Sequence, residues 1–146
     1  MDRAVNSSPI FRALLLLTFA LAACSVDERR RMPAEAQATI DRVTEEIASG
    51  RDEQIYREAA EEWRAEVPPE ESGAALRRVR ERLGRVQSRA MYSGVETGGE
   101  SSPPHTLTVT YQTTFERATG METFRLLKRD GRWLLAGYTV TSDALR

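Results

Sequence analysis

Among 146 residues the chain holds one cysteine, one histidine and one lysine: Cys24, His105 and Lys128. A lone cysteine excludes an intramolecular disulfide. One Cys with one His cannot supply the four ligands of the common structural zinc sites. The formal net charge is −1, so the chain as a whole exerts no pull on nucleic acid, and no nucleic-acid partner is expected. A glycine-rich phosphate loop, a Ser-His-Asp set and metal-ligand spacing are all missing, so neither a cofactor nor a metal is expected. Nor is there an apolar run long enough to span a bilayer. The longest, residues 13–23, would cover about 16 Å as a helix against a ~30 Å hydrocarbon core. What is present is ordinary for a globular protein: 40% hydrophobic and 29% charged residues. The basic residues are arginine almost throughout, which reads as codon bias rather than chemistry. The length allows one domain.

The apolar run carries the flanks of an export signal. Arg3, Arg12 and the amino terminus outweigh Asp2 ahead of it, and small residues follow, so residues 1–23 are expected to be a cleaved signal peptide. Leu21-Ala22-Ala23-Cys24 resembles the lipobox of bacterial lipoproteins. The resemblance implies cleavage between Ala23 and Cys24 and lipidation of Cys24, whose thiol is the nucleophile that accepts a diacylglyceryl group. Two or more acyl chains, palmitate among them, hold a membrane firmly where one does not. Ser25 stands after the cysteine in place of Asp, which by resemblance to the enterobacterial sorting rule favours the periplasmic face of the outer membrane. Residues 24–32 then form the lipidated Cys and tether. The eight residues after the cysteine reach at most about 27 Å, which keeps a single domain at 33–146 close to the bilayer. Arg29-Arg30-Arg31 reads either as a contact for anionic head groups or as solvated linker charge.

Within the domain the apolar spacing is first helical. Pro33, Ala36, Ile40, Val43 and Ile47 predict a helix over 33–49, ended by Gly50. Asp52 is expected to cap a second helix, whose stripe runs from Ile55 through Ala59, Ala60 and Trp63 to Val67 before Pro68-Pro69 stop it. Ser72 is expected to cap a third, with Leu76, Val79 and Leu83 inward and Gly84 at its end. The period then becomes two. A first strand is expected over 86–96, with Val86, Ser88, Ala90 and Tyr92 on one face, followed by a flexible loop over 98–104. Leu107, Val109, Tyr111, Thr113 and Phe115 mark the buried face of a second strand. Strands over 121–129 and 132–142 are joined by Asp130-Gly131, a hairpin signal. A two-residue loop there puts Leu126 opposite Leu135, Phe124 opposite Gly137 and Lys128 beside Trp133; a G1 bulge would shift that register by one. The fold class is therefore α+β, with three N-terminal helices packed on a curved four-stranded antiparallel sheet, a roll whose open end can be a pocket.

Tyr56-x6-Trp63, residues 80–89, and the ending Glu122-Thr123-Phe124-Arg125-Leu126 with Asp130-Gly131-Arg132-Trp133 and Gly137-Tyr138 carry a resemblance. Over about residues 36–141 the chain resembles a bacterial domain of unknown function found in exported proteins and lipoproteins. That family in turn resembles the nuclear transport factor 2-like superfamily, with its cystatin-like roll. The resemblance implies a conical interior. In superfamily enzymes, such as ketosteroid isomerases and scytalone dehydratases, that interior holds an Asp or His of tuned pKa. Here the Asp residues fall on the tether, a polar helix face, a cap, a turn and the terminus, and His105 is expected to lie solvated in a loop. Glu122 is the candidate pocket carboxylate, against the plainer expectation that it faces outward or pairs across the hairpin. Tyr111, Phe124 and Trp133 join it as candidate pocket lining, against the plainer reading that they are core. Glu58, Glu61, Glu62 and Glu66 face a basic set at Arg77, Arg78, Arg80 and Arg82; complementary helix packing is expected ahead of an anion-binding surface.

These features predict a lipid-anchored, non-enzymatic protein of the bacterial envelope that binds a small apolar ligand or an envelope protein partner. The alternatives are an assembly subunit forming a homodimer through its Thr-rich sheet face (Thr108, Thr110, Thr114) and, third, a pocket-carboxylate isomerase or hydrolase. An open cone with an unpaired carboxylate would favour the enzyme, and a cone filled by its own aromatics the scaffold.

Overall fold

Ala36, Ile40, Val43 and Ile47, spaced by four, three and four, put one apolar stripe on helix α1 (Ala34–Ala48) in the computed structural model, which describes residues 32–146. The signal peptide, its Ala23–Cys24 junction, the lipidated cysteine and the tether as far as Arg31 lie outside the described residues. Met32, expected in the tether, packs against the core. Pro33 precedes the helix, and its carbonyl accepts the N–H groups of Ala36 and Gln37 (both 3.0 Å).

The second expected helix is two. α2 (Asp52–Glu58) and α3 (Glu61–Glu66) are separated by Ala59 and Ala60, both extended at ψ 159° and 148°. The break has a tertiary cause. The Ala60 N–H leaves the helix ladder and donates to the Leu135 carbonyl at 2.8 Å, tying the helices to a sheet edge. Tyr56 braces the corner by donating its hydroxyl to the carbonyls of Val67 (2.9 Å) and Arg64 (3.2 Å). Asp52 opens α2 without capping it, because its carboxylate is drawn to Arg80 (2.8 and 3.2 Å). α4 (Pro69–Leu83) starts at the second of the two prolines, where a missing N–H costs nothing. Ser72 therefore lies inside the first turn, buried and with no partner for its hydroxyl, and does not cap.

Four strands follow as a meander in the order β1-β2-β3-β4: β1 (Val86–Gly99), β2 (Ser102–Phe115), β3 (Thr119–Arg129) and β4 (Arg132–Thr141). A short 3-10 turn, Asp143–Leu145, closes the described chain. The stretch expected as a flexible loop is hairpin: Gly99 pairs with Ser102, and Gly98 takes a left-handed φ of +73°. The expected face of β1 is also overturned. Register shifts between Val86 and Ser88 and between Met91 and Ser93 break the alternation, so the residue turned inward opposite Thr113 is Arg89, while Tyr92 is 74% exposed. At the last hairpin Asp130 and Gly131 both adopt positive φ (51° and 75°), as a two-residue I′ turn requires. Lys128 pairs with Trp133 and Leu126 with Leu135 as expected, but a shift just beyond sets Arg125 opposite Gly137 and Phe124 opposite Tyr138. The space at Gly137 thus accommodates Arg125, not the phenyl ring.

One core joins the two layers. The α1 stripe, Ile55, Trp63 and Leu76 meet Leu107, Val109, Phe124, Leu126 and Leu135 from the sheet. Among the described residues the architecture is α+β, with four helices ahead of a single antiparallel sheet.

Candidate functional site

Glu122 on β3 is 1% exposed, inside the fold. A buried carboxylate demands compensation, and here every acceptor position is used. Arg89 donates twice, Nε to Oε2 and Nη2 to Oε1, at 2.7 Å each. Thr113 donates to Oε2 (2.9 Å) and Tyr138 to Oε1 (2.8 Å). The remaining Arg89 nitrogen, Nη1, donates to Thr44 on α1 (2.8 Å), whose hydroxyl in turn donates to the Ile40 carbonyl (2.7 Å). The guanidinium lies 5.2 Å from the Phe124 ring centroid and 5.5 Å from that of Tyr111. Burial, and then the charge of Glu122, raise the Tyr138 phenol well above its ordinary value. Burial likewise raises Tyr111, which donates to Gln37 (3.2 Å). The dent lined by Glu122, Tyr138 and Thr44 measures about 10 Å³, room for one water at most. Three expected residues, Tyr111, Phe124 and Glu122, therefore meet, but around Arg89 in a packed interior. A carboxylate bonded on all sides is no free base.

The fourth, Trp133, has other partners. His105 stands edge-on to its ring (4.8 Å between centroids) and Lys128 lies over it at 5.9 Å. His105 is thus not a solvated loop residue. It sits on β2, its side chain 16% exposed, with Nε2 2.6 Å from Glu96 on β1 and Nδ1 buried with no partner. A cleft of about 290 Å³ opens beside it, between the two hairpin ends, and is lined by Pro103, Pro104, His105, Lys128, Arg129 and Glu62. Glu62 is held below its ordinary pKa by a backbone hydrogen bond and by Arg129, whose Nη2 donates to it at 2.6 Å. The cleft holds both charge signs and matches no single ligand class.

A family model described as a protein of unknown function, DUF4019, matches residues 39–138, most of the chain and nearly all of the described residues. The chain belongs to that family. The match runs from α1 to β4, and so includes every member of the buried centre: Thr44, Arg89, Thr113, Glu122 and Tyr138. No curated protein matches this DUF4019 chain. The residue that sequence reading missed in the DUF4019 fold is Arg89. Two bulges hid its facing; the available signal was that Arg89 is the one arginine within the strand expected over 86–96. Helix charges also fall elsewhere than expected. The expected acidic set of four glutamates pairs with Arg42 (Glu58, 2.6 Å), Arg129 (Glu61, 3.9 Å; Glu62, 2.6 Å) and Arg125 (Glu66, 3.7 Å) rather than with α4. Of the α4 arginines, Arg80 binds Asp52, and Arg78 donates to the Leu145 carbonyl (2.7 Å). Among the described residues no group of three or more Cys, His, Asp or Glu could hold a metal, and no helix is long and apolar enough to cross a membrane.

Proposed function

We propose that this chain is a lipid-anchored protein of the bacterial envelope, with a roll of the nuclear transport factor 2-like kind, that works by holding an envelope protein partner rather than by turning over a substrate. The observation that carries the reading is the interior: Glu122 has no free lone pair and the space around it is filled by Arg89, Tyr111, Phe124 and Tyr138. An isomerase or hydrolase would need that carboxylate open to a substrate. A small apolar ligand would need a cavity of some hundreds of Å³ there, so the reading narrows to a protein partner. Leu21-Ala22-Ala23-Cys24 after a short apolar run supports the anchor, with the periplasmic face of the outer membrane as its site. A second form of the reading, an assembly subunit that pairs with itself, is favoured by exposed apolar residues gathered on β1.

Two measurements test it. Chemical cross-linking in the intact envelope, followed by pull-down, should capture a discrete protein adduct; absence of any adduct sinks the partner reading. Wild type should take up an acyl label and fractionate with membranes, and Cys24→Ser should lose both. Wild type without label, with unchanged fractionation of the variant, removes the anchor.

A further inference from the structure

The two edges of the sheet are treated differently. β4 is fastened by the Ala60–Leu135 backbone bond, whereas the only backbone ladder of β1 among the described residues is with β2. Among the described residues the exposed large apolar side chains all lie on β1: Tyr92 at 74%, Val95 at 58% and Met91 at 47%. They fall in the uncharged segment Ala90-Met91-Tyr92-Ser93-Gly94-Val95, with no proline and no lysine. Charge and proline are among the devices that keep a free edge from recruiting another strand, and this segment carries neither. The edge is built to be covered.

We propose that it is covered by the same strand of a second copy, the two β1 strands running antiparallel about a two-fold axis between Tyr92 and Ser93, so that the sheets join edge to edge. This rests on the partner-holding reading above and names the partner. The bulge makes the strand its own complement. Met91 pairs with Tyr111 and Ser93 with Thr110, so Tyr92 is the extra residue and the alternation inverts across it. Met91 and Gly94 consequently oppose the inward-facing Tyr111 and Val109, while Ala90 and Val95 oppose Gln112 and Thr108 on the outer face. The two-fold axis then lays Met91 on Gly94 and Ala90 on Val95, large on small each time and always face to like face. In an unbulged strand the same axis would match inner residues with outer ones. The contact is isologous, using the same patch on both copies.

Cysteine placement in the full chain, expressed in its own envelope, tests the pairing. Ser93→Cys lies next to the axis and should give a disulfide-linked dimer on a non-reducing gel, well above the parent, whose Cys24 is the background. Thr114→Cys, on the outer face of β2, should not. Adding Tyr92→Lys and Val95→Lys to Ser93→Cys, at two exposed positions, should lower the dimer fraction about tenfold with the melting temperature unchanged. Ser93→Cys at the parent's background overturns the pairing. So does a Thr114→Cys dimer of equal yield, which would mark a face-to-face contact instead. A monomeric Ser93→Cys chain that still yields an adduct with another protein sinks self-pairing and leaves the partner reading standing. A Ser93→Cys dimer without any other adduct supports the pairing.

Discussion

At the scale of single residues the buried centre decides most. Arg89 and Glu122 each satisfy the other, and removing one leaves an uncompensated charge. Arg89→Met should therefore destabilise the fold by about 3–5 kcal/mol in urea denaturation, and adding Glu122→Leu should recover much of that loss, since buried ion pairs seldom outperform apolar packing. If the single variant is as stable as wild type, the centre is not the clamp it looks. Tyr138 gives a pH signature. Its phenol, raised in the fold, holds its proton where the unfolded chain has released it. The stability it contributes is complete below about pH 10 and is lost as pH climbs toward the folded value. Tyr138→Phe should cost about 1.5–3 kcal/mol at neutral pH for the bond to a charged acceptor, and should flatten the alkaline decline. An equally steep decline in the variant would assign it to other groups. Glu122 itself was visible in the sequence as the one carboxylate to watch. Its saturation was not, because that depends on Arg89, Thr113 and Tyr138 arriving from three other strands.

Elements were legible where one rule acted alone. The Leu107 to Phe115 alternation and the Asp130-Gly131 turn are local signals, and both hold. The helix expected across 52–67 failed because its apolar stripe continues unbroken through Ala59 and Ala60, and helical propensity has no way to register a hydrogen bond to Leu135, seventy-five residues on. The strand expected from residue 86 is there, but its facing failed for a similar reason: a bulge resets a two-residue period that sequence reading must assume constant. The break makes a prediction of its own. Ala60 is fully buried against Leu127 and Ala136, so Ala60→Leu should overpack the junction and cost about 1–3 kcal/mol by urea denaturation. A neutral result would show that the helix corner has slack.

On the scale of the whole molecule, helices and sheet share one apolar cluster, and Trp63 of α3 and Trp133 of β4 both belong to it. Unfolding followed by tryptophan fluorescence and by far-ultraviolet circular dichroism should trace coincident curves; separated midpoints would mean that the helical layer can detach. α+β architecture was readable from the switch of period at residue 86, while the filling of the interior around Glu122 was not, since filling is a matter of volumes and angles among distant side chains. The fastening of β4 also limits growth. A sheet with two bare margins can add neighbours without end, as fibres do; among the described residues the β1 margin is the one with no backbone bond to a helix, and in the proposed pairing the second copy uses it up, which sets the assembly at two.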